Sequence, residues 1–330
     1  MTQVMASRLG RLTVAVMIAP LVLTACSGGS ESAGTSSSDA SPSEAEPAGS
    51  CPVTPVNVVV SVDQWGDIVS QLGGDCAEVT TVLASSSVDP HDYEPAPSDA
   101  AVFEDAQLVV INGGHYDEWA SKLAATSAPQ APLIDALALT GAAPDGEEHA
   151  HEGEANPHAW YSPTAVSAVA EAVTEDLSEL APDVADYFDE RRTAFDSSLE
   201  PYFGTIEAIK AGAAGKTYAA TESVFDDMAA AVGLTNLTPE GYQASAANET
   251  DPSPGDLDAF LRLLGDNGVD VLIYNTQTEG SVPQQVRATA ESAGIPVVEV
   301  TETVAPGADS FEAWQVQQLD ALAEALGVPS

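Results

Sequence analysis

Basic residues are scarce in this chain of 330 residues. Nine Lys and Arg stand against 51 Asp and Glu, a net charge of −42 at pH 7. That shortage excludes nucleic acid as a partner, because phosphate binding depends on Lys and Arg to release counterions. It equally disfavours a large anionic ligand or adsorption to anionic lipid, and leaves a cation as the natural opposite partner. Only three cysteines occur, too few for a disulfide-dense scaffold or a Cys-based zinc cluster. Neither a GxxxxGK[ST] phosphate loop nor an HExxH pair is present, which removes P-loop ATP hydrolysis and zincin-type proteolysis. Long apolar runs are also missing. The longest, Leu12–Leu23, would extend about 18 Å as a helix, short of the roughly 30 Å hydrocarbon core. What is present is 44% apolar and only 18% charged sequence, the composition of about two folded domains rather than of a disordered chain.

The apolar run follows Arg8 and Arg11 and reads as a secretory signal peptide over 1–25. It ends in Leu23-Thr24-Ala25-Cys26-Ser27-Gly28, which resembles a bacterial lipobox. That resemblance implies lipidation of Cys26 and a protein anchored at the extracytoplasmic face of the membrane. Residues 26–52 are read as a flexible tether, since they carry too little apolar surface to offset their ordering entropy. Cys51 and Cys76 then remain in an oxidising compartment. Each precedes a predicted strand, and if those strands are parallel neighbours a disulfide between them is expected.

From residue 53 onward short β-rich runs alternate with helical patterns, which predicts βαβ units and parallel sheets. Strands are expected at 56–62, 78–84, 107–112 and 132–136, and again at 217–221, 269–274 and 297–300. The stretch 163–214 has no strand signal and is read as a helical connector, breaking near Pro182 and again at Pro201. The expected architecture is α/β: an N-terminal lobe (53–162), a long helical spine (163–214) and a C-terminal lobe (215–330). Ligands of open parallel sheets sit beyond the carboxyl ends of the strands, so the cleft between the lobes is the expected site.

The five histidines, His91, His115, His149, His151 and His158, all fall in loops or at element edges. Imidazole combined with carboxylate is the usual equipment for a divalent transition metal. His91 lies in Val88-Asp89-Pro90-His91-Asp92-Tyr93-Glu94-Pro95-Ala96-Pro97, and His158 in Asn156-Pro157-His158-Ala159-Trp160-Tyr161. These two blocks, in this order and spacing, resemble the signature loops of the solute-binding lipoproteins of zinc and manganese ABC transporters. The resemblance runs over about 55–330. It implies that His91 and His158 are metal ligands and that Glu222, in Ala220-Thr221-Glu222-Ser223, supplies a third. A fourth carboxylate is expected after the strand that precedes the penultimate helix, where Glu279 is the only acid. The tract Glu147-Glu148-His149-Ala150-His151-Glu152 is similar to the acidic, His-rich loop of zinc-binding members, which makes His149 and His151 secondary candidates; His115, just after a predicted strand, is another by position alone and matches no ligand position of the family. The transported ion is expected to be Zn²⁺, with Mn²⁺ next. The implied partners are a permease with its cytoplasmic ATPase, with the protein itself a monomer and not an enzyme. A secreted metal-dependent hydrolase and a surface adhesin are the alternative readings.

Overall fold

The structure is a computed structural model that describes residues 51–84, 93–140, 156–248, 250–278, 280–305 and 307–329. The expected signal peptide, Cys26, the tether up to residue 50, His91, His149, His151 and Glu279 lie outside the described residues.

The first lobe is built from β1 (Val56–Val62), α1 (Asp63–Gly73), β2 (Ala77–Leu83), α2 (Pro97–Phe103), β3 (Leu108–Ile111), α3 (Glu118–Ser127), β4 (Leu133–Asp135) and the single turn α4 (Ala136–Leu139). Its four strands are all parallel and ordered β2-β1-β3-β4. Parallel sheets are covered on both faces. Accordingly β1 is buried at every position except Asn57, and β3 throughout, whereas β2 at the sheet edge alternates. Cys51 and Cys76 are joined by a disulfide, with their Cα atoms 4.9 Å apart, tying the segment before β1 to the start of β2.

Three helices form the spine: α5 (Pro163–Leu180), α6 (Ala185–Ser198) and α7 (Glu200–Gly212). Ser162 caps α5 by accepting from the Ala165 N–H, and Pro163 occupies the first helical position, where its missing N–H costs nothing. Pro201 sits in the first turn of α7 for the same reason, so the expected break there is a boundary between two helices rather than a kink. The α5 stripe Ala165, Val166, Val169, Ala170, Val173 and Leu177 is fully buried at helical spacing.

The second lobe comprises β5 (Thr217–Ala220), α8 (Asp226–Ala231), β6 (Thr235–Asn236), α9 (Glu240–Ala247), α10 (Pro254–Gly265), β7 (Val271–Asn275), α11 (Ser281–Ala293), β8 (Val297–Val300) and α12 (Phe311–Leu326). Its parallel sheet is ordered β6-β5-β7-β8, so both lobes place their second strand outermost and reverse direction of build between the first and third. Side chains of β7 alternate between two cores, as strand geometry demands. Val271 and Ile273 join the large core that continues through the spine into the first lobe, while Leu272 joins a smaller one with Phe260, Leu264 and Val286. The two-residue β6 and the helix α9 fall in a stretch whose Gly, Asn and Pro content predicts only a loop.

The lobes are interlocked. The backbone N–H of Phe311 at the start of α12 donates to Asp67 Oδ2 on α1 at 2.7 Å, and Gln71 Nε2 donates to Glu312 at 3.0 Å. From the spine, Arg191 Nε donates to the Gln71 carbonyl at 2.7 Å.

Candidate functional site

Three side chains of interest stand at the carboxyl ends of strands of the second sheet, with His158 on the loop that enters the spine. Glu222 follows β5, Asn275 closes β7, and Glu302 stands two residues past β8. β5 and β7 flank the point where the strand order reverses, the place where open α/β sheets leave a crevice.

His158 is buried, at 5% exposure. Its Nδ1 lies 2.7 Å from Asn156 Oδ1. The Asn156 amide is oriented by its other end, because Nδ2 donates to the Ser223 carbonyl across the cleft at 3.0 Å. With the amide oxygen thus facing the imidazole, Nδ1 carries a proton, and Nε2 is the ring nitrogen turned to the site. Nε2 points at Glu302 Oε2, 4.0 Å away. The ring is gripped by aromatic neighbours, packed edge-on against Trp160 (5.4 Å between centroids) and Tyr116 (6.2 Å). Below it, Asn112 Nδ2 donates to the Pro157 carbonyl at 2.7 Å, and Asn112 Oδ1 accepts from Trp65 Nε1 at 3.1 Å. The buried Asp117 carboxylate secures that turn by accepting from the N–H groups of Asn112 and Gly113. Burial outweighs these bonds and lifts its pKa to about 6.

The Glu302 segment is pinned from both lobes. Gln64, at the start of α1, donates to the Glu302 carbonyl at 2.6 Å and to the Tyr116 hydroxyl oxygen at 3.0 Å. Gln277 Oε1 accepts from the backbone N–H of Glu302 at 2.6 Å and of Thr303 at 3.1 Å. Tyr161 anchors the preceding residue by donating to the Thr301 carbonyl at 2.6 Å. Burial, followed by the charge of Glu302, pushes the Tyr116 hydroxyl far above its ordinary range, so it stays protonated beside the site.

The two carboxylates of the second lobe meet at one group. Asn275 Nδ2 donates to Glu302 Oε1 at 2.7 Å and to Glu222 Oε2. Glu222 Oε2 also accepts from the Thr278 hydroxyl. Two carboxylates bridged by a neutral amide, beside the His158 imidazole, make a donor set suited to a divalent cation. A small space of about 10 Å³ lies behind Glu222, lined by Thr221, Thr238 and Tyr242. Burial and then the nearby Glu222 charge push the Tyr242 hydroxyl up to about 12.

Of the residues singled out in the sequence, the structure brings His158 and Glu222 to this cleft. His115 is exposed, beside Glu118 on the turn into α3, while its neighbour Tyr116 faces the site. Glu302 and Asn275 escape sequence reasoning. The one available signal for Glu302 is its position, an acid two residues beyond a buried apolar strand. Among the described residues, no three His, Cys, Asp or Glu side chains are drawn close enough to hold an ion outright, and His91 and Glu279 stand outside them. A second, open groove of about 280 Å³ runs between α1 and the segment before α12, lined by Asp63, Asp67 and Asp309. It has no imidazole among its lining residues.

Comparison with known proteins converges on one group. A stretch of 150 residues is 29% identical to the manganese-binding lipoprotein MntA of Halalkalibacterium halodurans, covering 44% of this chain and 46% of that protein. Over 236 residues the chain is 26% identical to the zinc-binding lipoprotein AdcA of Streptococcus pneumoniae, covering 66% of this chain and 45% of that one. It thus spans about half the length of these curated relatives. Over 230 residues it is 24% identical to the high-affinity zinc uptake system protein ZnuA of Bacillus subtilis, covering 66% and 70%. Among solved structures, a ZnuA superposes with a TM-score of 0.65 at 24% identity over 82% of this chain and 99% of that one. The periplasmic zinc-binding protein TroA of Treponema pallidum gives 0.67 at 16% over the same shares. Both likenesses establish the two-lobed fold with its helical spine. Residues 58–325 match the family described as zinc-uptake complex component A, periplasmic, and the chain belongs to that family.

Proposed function

We propose that this protein captures a divalent transition metal, Zn²⁺ or Mn²⁺, outside the cell membrane and delivers it to an ABC importer. The observation that carries the reading is the convergence of His158 from one lobe with Glu222 and Glu302 from the other. One neutral imidazole and two carboxylates suit a dication: the anions cancel its charge, and the imidazole suits zinc and other transition metals better than Mg²⁺ or Ca²⁺. His91 is the natural further donor, from the loop after β2. Glu302 takes the place of Glu279 as the fourth ligand in this proposal, because it faces His158 directly. His149 and His151 act in first capture of the ion.

The protein acts as a carrier and not as a catalyst. Cys26 holds it to the membrane through lipid, the tether supplies reach, and a permease with its own ATPase supplies the energy. Because α12 is bonded to α1 and the spine is helical, wide opening of the lobes is disfavoured. Release then falls to the loops carrying Glu222 and Glu302, which a docked permease can displace.

Elemental analysis with competitive zinc and manganese titration tests this. One ion per chain, bound below micromolar concentration and lost in both His158→Ala and Glu302→Ala, is the expected result. Glu279→Ala is expected to bind as wild type does. Failure of the wild-type protein to bind either ion below micromolar concentration would end the proposal.

A further inference from the structure

Resting on the metal-carrier reading above, we propose that Asn275 is a positioning residue that sets metal preference. Its amide holds one oxygen of Glu222 and one of Glu302, so each carboxylate meets the ion through its remaining oxygen alone, and the site favours zinc over manganese.

Every polar atom of this side chain is engaged. Both Nδ2 protons are used, one for Glu302 Oε1 and one for Glu222 Oε2. Oδ1 accepts from the Gln277 N–H at 3.0 Å, which fixes which end of the amide is nitrogen. The backbone is fixed as well, since the Asn275 N–H donates to Thr221 Oγ1 at 3.1 Å. At 1% exposure, the residue is out of reach of competing water. Glu222 Oε2 carries the Thr278 hydroxyl as a second donor. The oxygens left outside these bonds are Glu222 Oε1 and Glu302 Oε2, and the latter is the one turned toward His158 Nε2.

The consequence is a count of donors. Two carboxylates free to chelate could give four oxygens, and held in this way they give two. Zinc is satisfied by four donors in a tetrahedron, with N and O distances of about 2.0–2.2 Å. Manganese prefers an octahedral, oxygen-rich shell. To recruit the second oxygens, manganese would have to turn both carboxylates toward the ion, straining or breaking their bonds to a buried amide that no water can satisfy. Zinc requires no such loss.

The experiment uses the full-length protein, zinc and manganese chlorides, and competition against a chromophoric chelator. In Asn275→Ala the zinc-to-manganese affinity ratio is expected to fall about tenfold or more, the range found for outer partners of metal ligands. Thr278→Val frees Glu222 from one bond only and should shift the ratio in the same direction by less. Zinc-edge X-ray absorption on the loaded wild type should show four N/O donors. Asn275→Ala that folds and keeps the wild-type ratio overturns the inference, and so does a five- or six-donor shell in the wild type. Should Asn275→Ala not fold, Thr278→Val and the absorption spectrum still decide: an unchanged ratio in the former or an expanded shell in the latter overturns it. A wild type that binds neither ion overturns the carrier reading itself, a result distinguishable from failure of this assignment alone.

Discussion

Replacing Asn156 with alanine removes its contacts to the His158 ring and to Ser223, together with a longer bond in which Oδ1 accepts from the His158 N–H at 3.3 Å. The Oδ1 contact, 2.7 Å from His158 Nδ1, keeps a proton on Nδ1, so that Nε2, facing Glu302, is the nitrogen left to bind a metal. Outer partners of this kind typically contribute 10–100-fold to metal affinity, or about 1.4–2.7 kcal/mol. The Nδ2 contact, 3.0 Å from the Ser223 carbonyl, joins the lobes, and one such hydrogen bond contributes about 1 kcal/mol to stability. Asn156→Ala should therefore lose 10–100-fold in zinc affinity and about 1 kcal/mol in unfolding free energy. Asn156→Asp separates the two effects. It keeps an acceptor for Nδ1–H but has no donor for Ser223, so the stability loss should persist while affinity largely returns. Chelator competition gives the affinity, denaturant unfolding the stability, and ¹⁵N shifts of the His158 ring in the metal-free protein the tautomer. An alanine variant that keeps the Nδ1–H form and binds zinc within about twofold of wild type would refute the reasoning, since outer partners are expected to contribute at least tenfold.

Reduction of the Cys51–Cys76 bridge opens a loop with a sequence separation of 25, for which loop-closure entropy gives about 3.5 kcal/mol. The urea midpoint should fall accordingly in the Cys51→Ser, Cys76→Ser double variant, and an unmoved midpoint would show that the bridge contributes nothing. Acidification should stabilise the metal-free protein. Asp117, fully buried, titrates near 6 in the folded chain against an ordinary 3.8. Its contribution is complete below about pH 3.8 and gone above pH 6, so moving from pH 8 to pH 5 should add about 1.4 kcal/mol. Asp63 and Asp226 are raised to about 6 as well and, being partly exposed, add less in the same direction. Asp270, lowered by Lys216, opposes the trend only below its ordinary 3.8, outside this window. Calorimetry in chelator should show the melting point climbing by roughly 3–4 °C, and a flat or falling trend would contradict the burial argument.

The strands that are easy to read in the sequence are those buried on both faces. Val56–Val62, Leu108–Ile111 and Val271–Asn275 stand out because a parallel sheet covered by helices demands nearly unbroken apolar runs. Pro201 marks its helix boundary for an equally local reason, the ring's incompatibility with a helix interior. β6 and α9 were not legible, because β6 is two residues long and α9 buries only Tyr242, leaving no period to detect. In the site, His158 and Glu222 can be read as candidates because distinctive neighbours surround them. Glu302 is one acid among 51 until β8 is laid beside β7, which brings it to Asn275 across 27 residues of chain. Asn275 itself has no signature at all, since an amide is not expected to touch a metal.

The groups that organise this cleft, Gln64, Asn112, Asn156, Asn275 and Gln277, are all amides. None of them titrates, and none carries a charge that salt could screen. In a chain of net charge −42, these five groups are therefore indifferent to ionic strength and acidity, and the titrating group among their supports is Asp117, beneath Asn112. A salt dependence of ion capture therefore reports on the ligands and the ion, and a pH dependence on those together with Asp117.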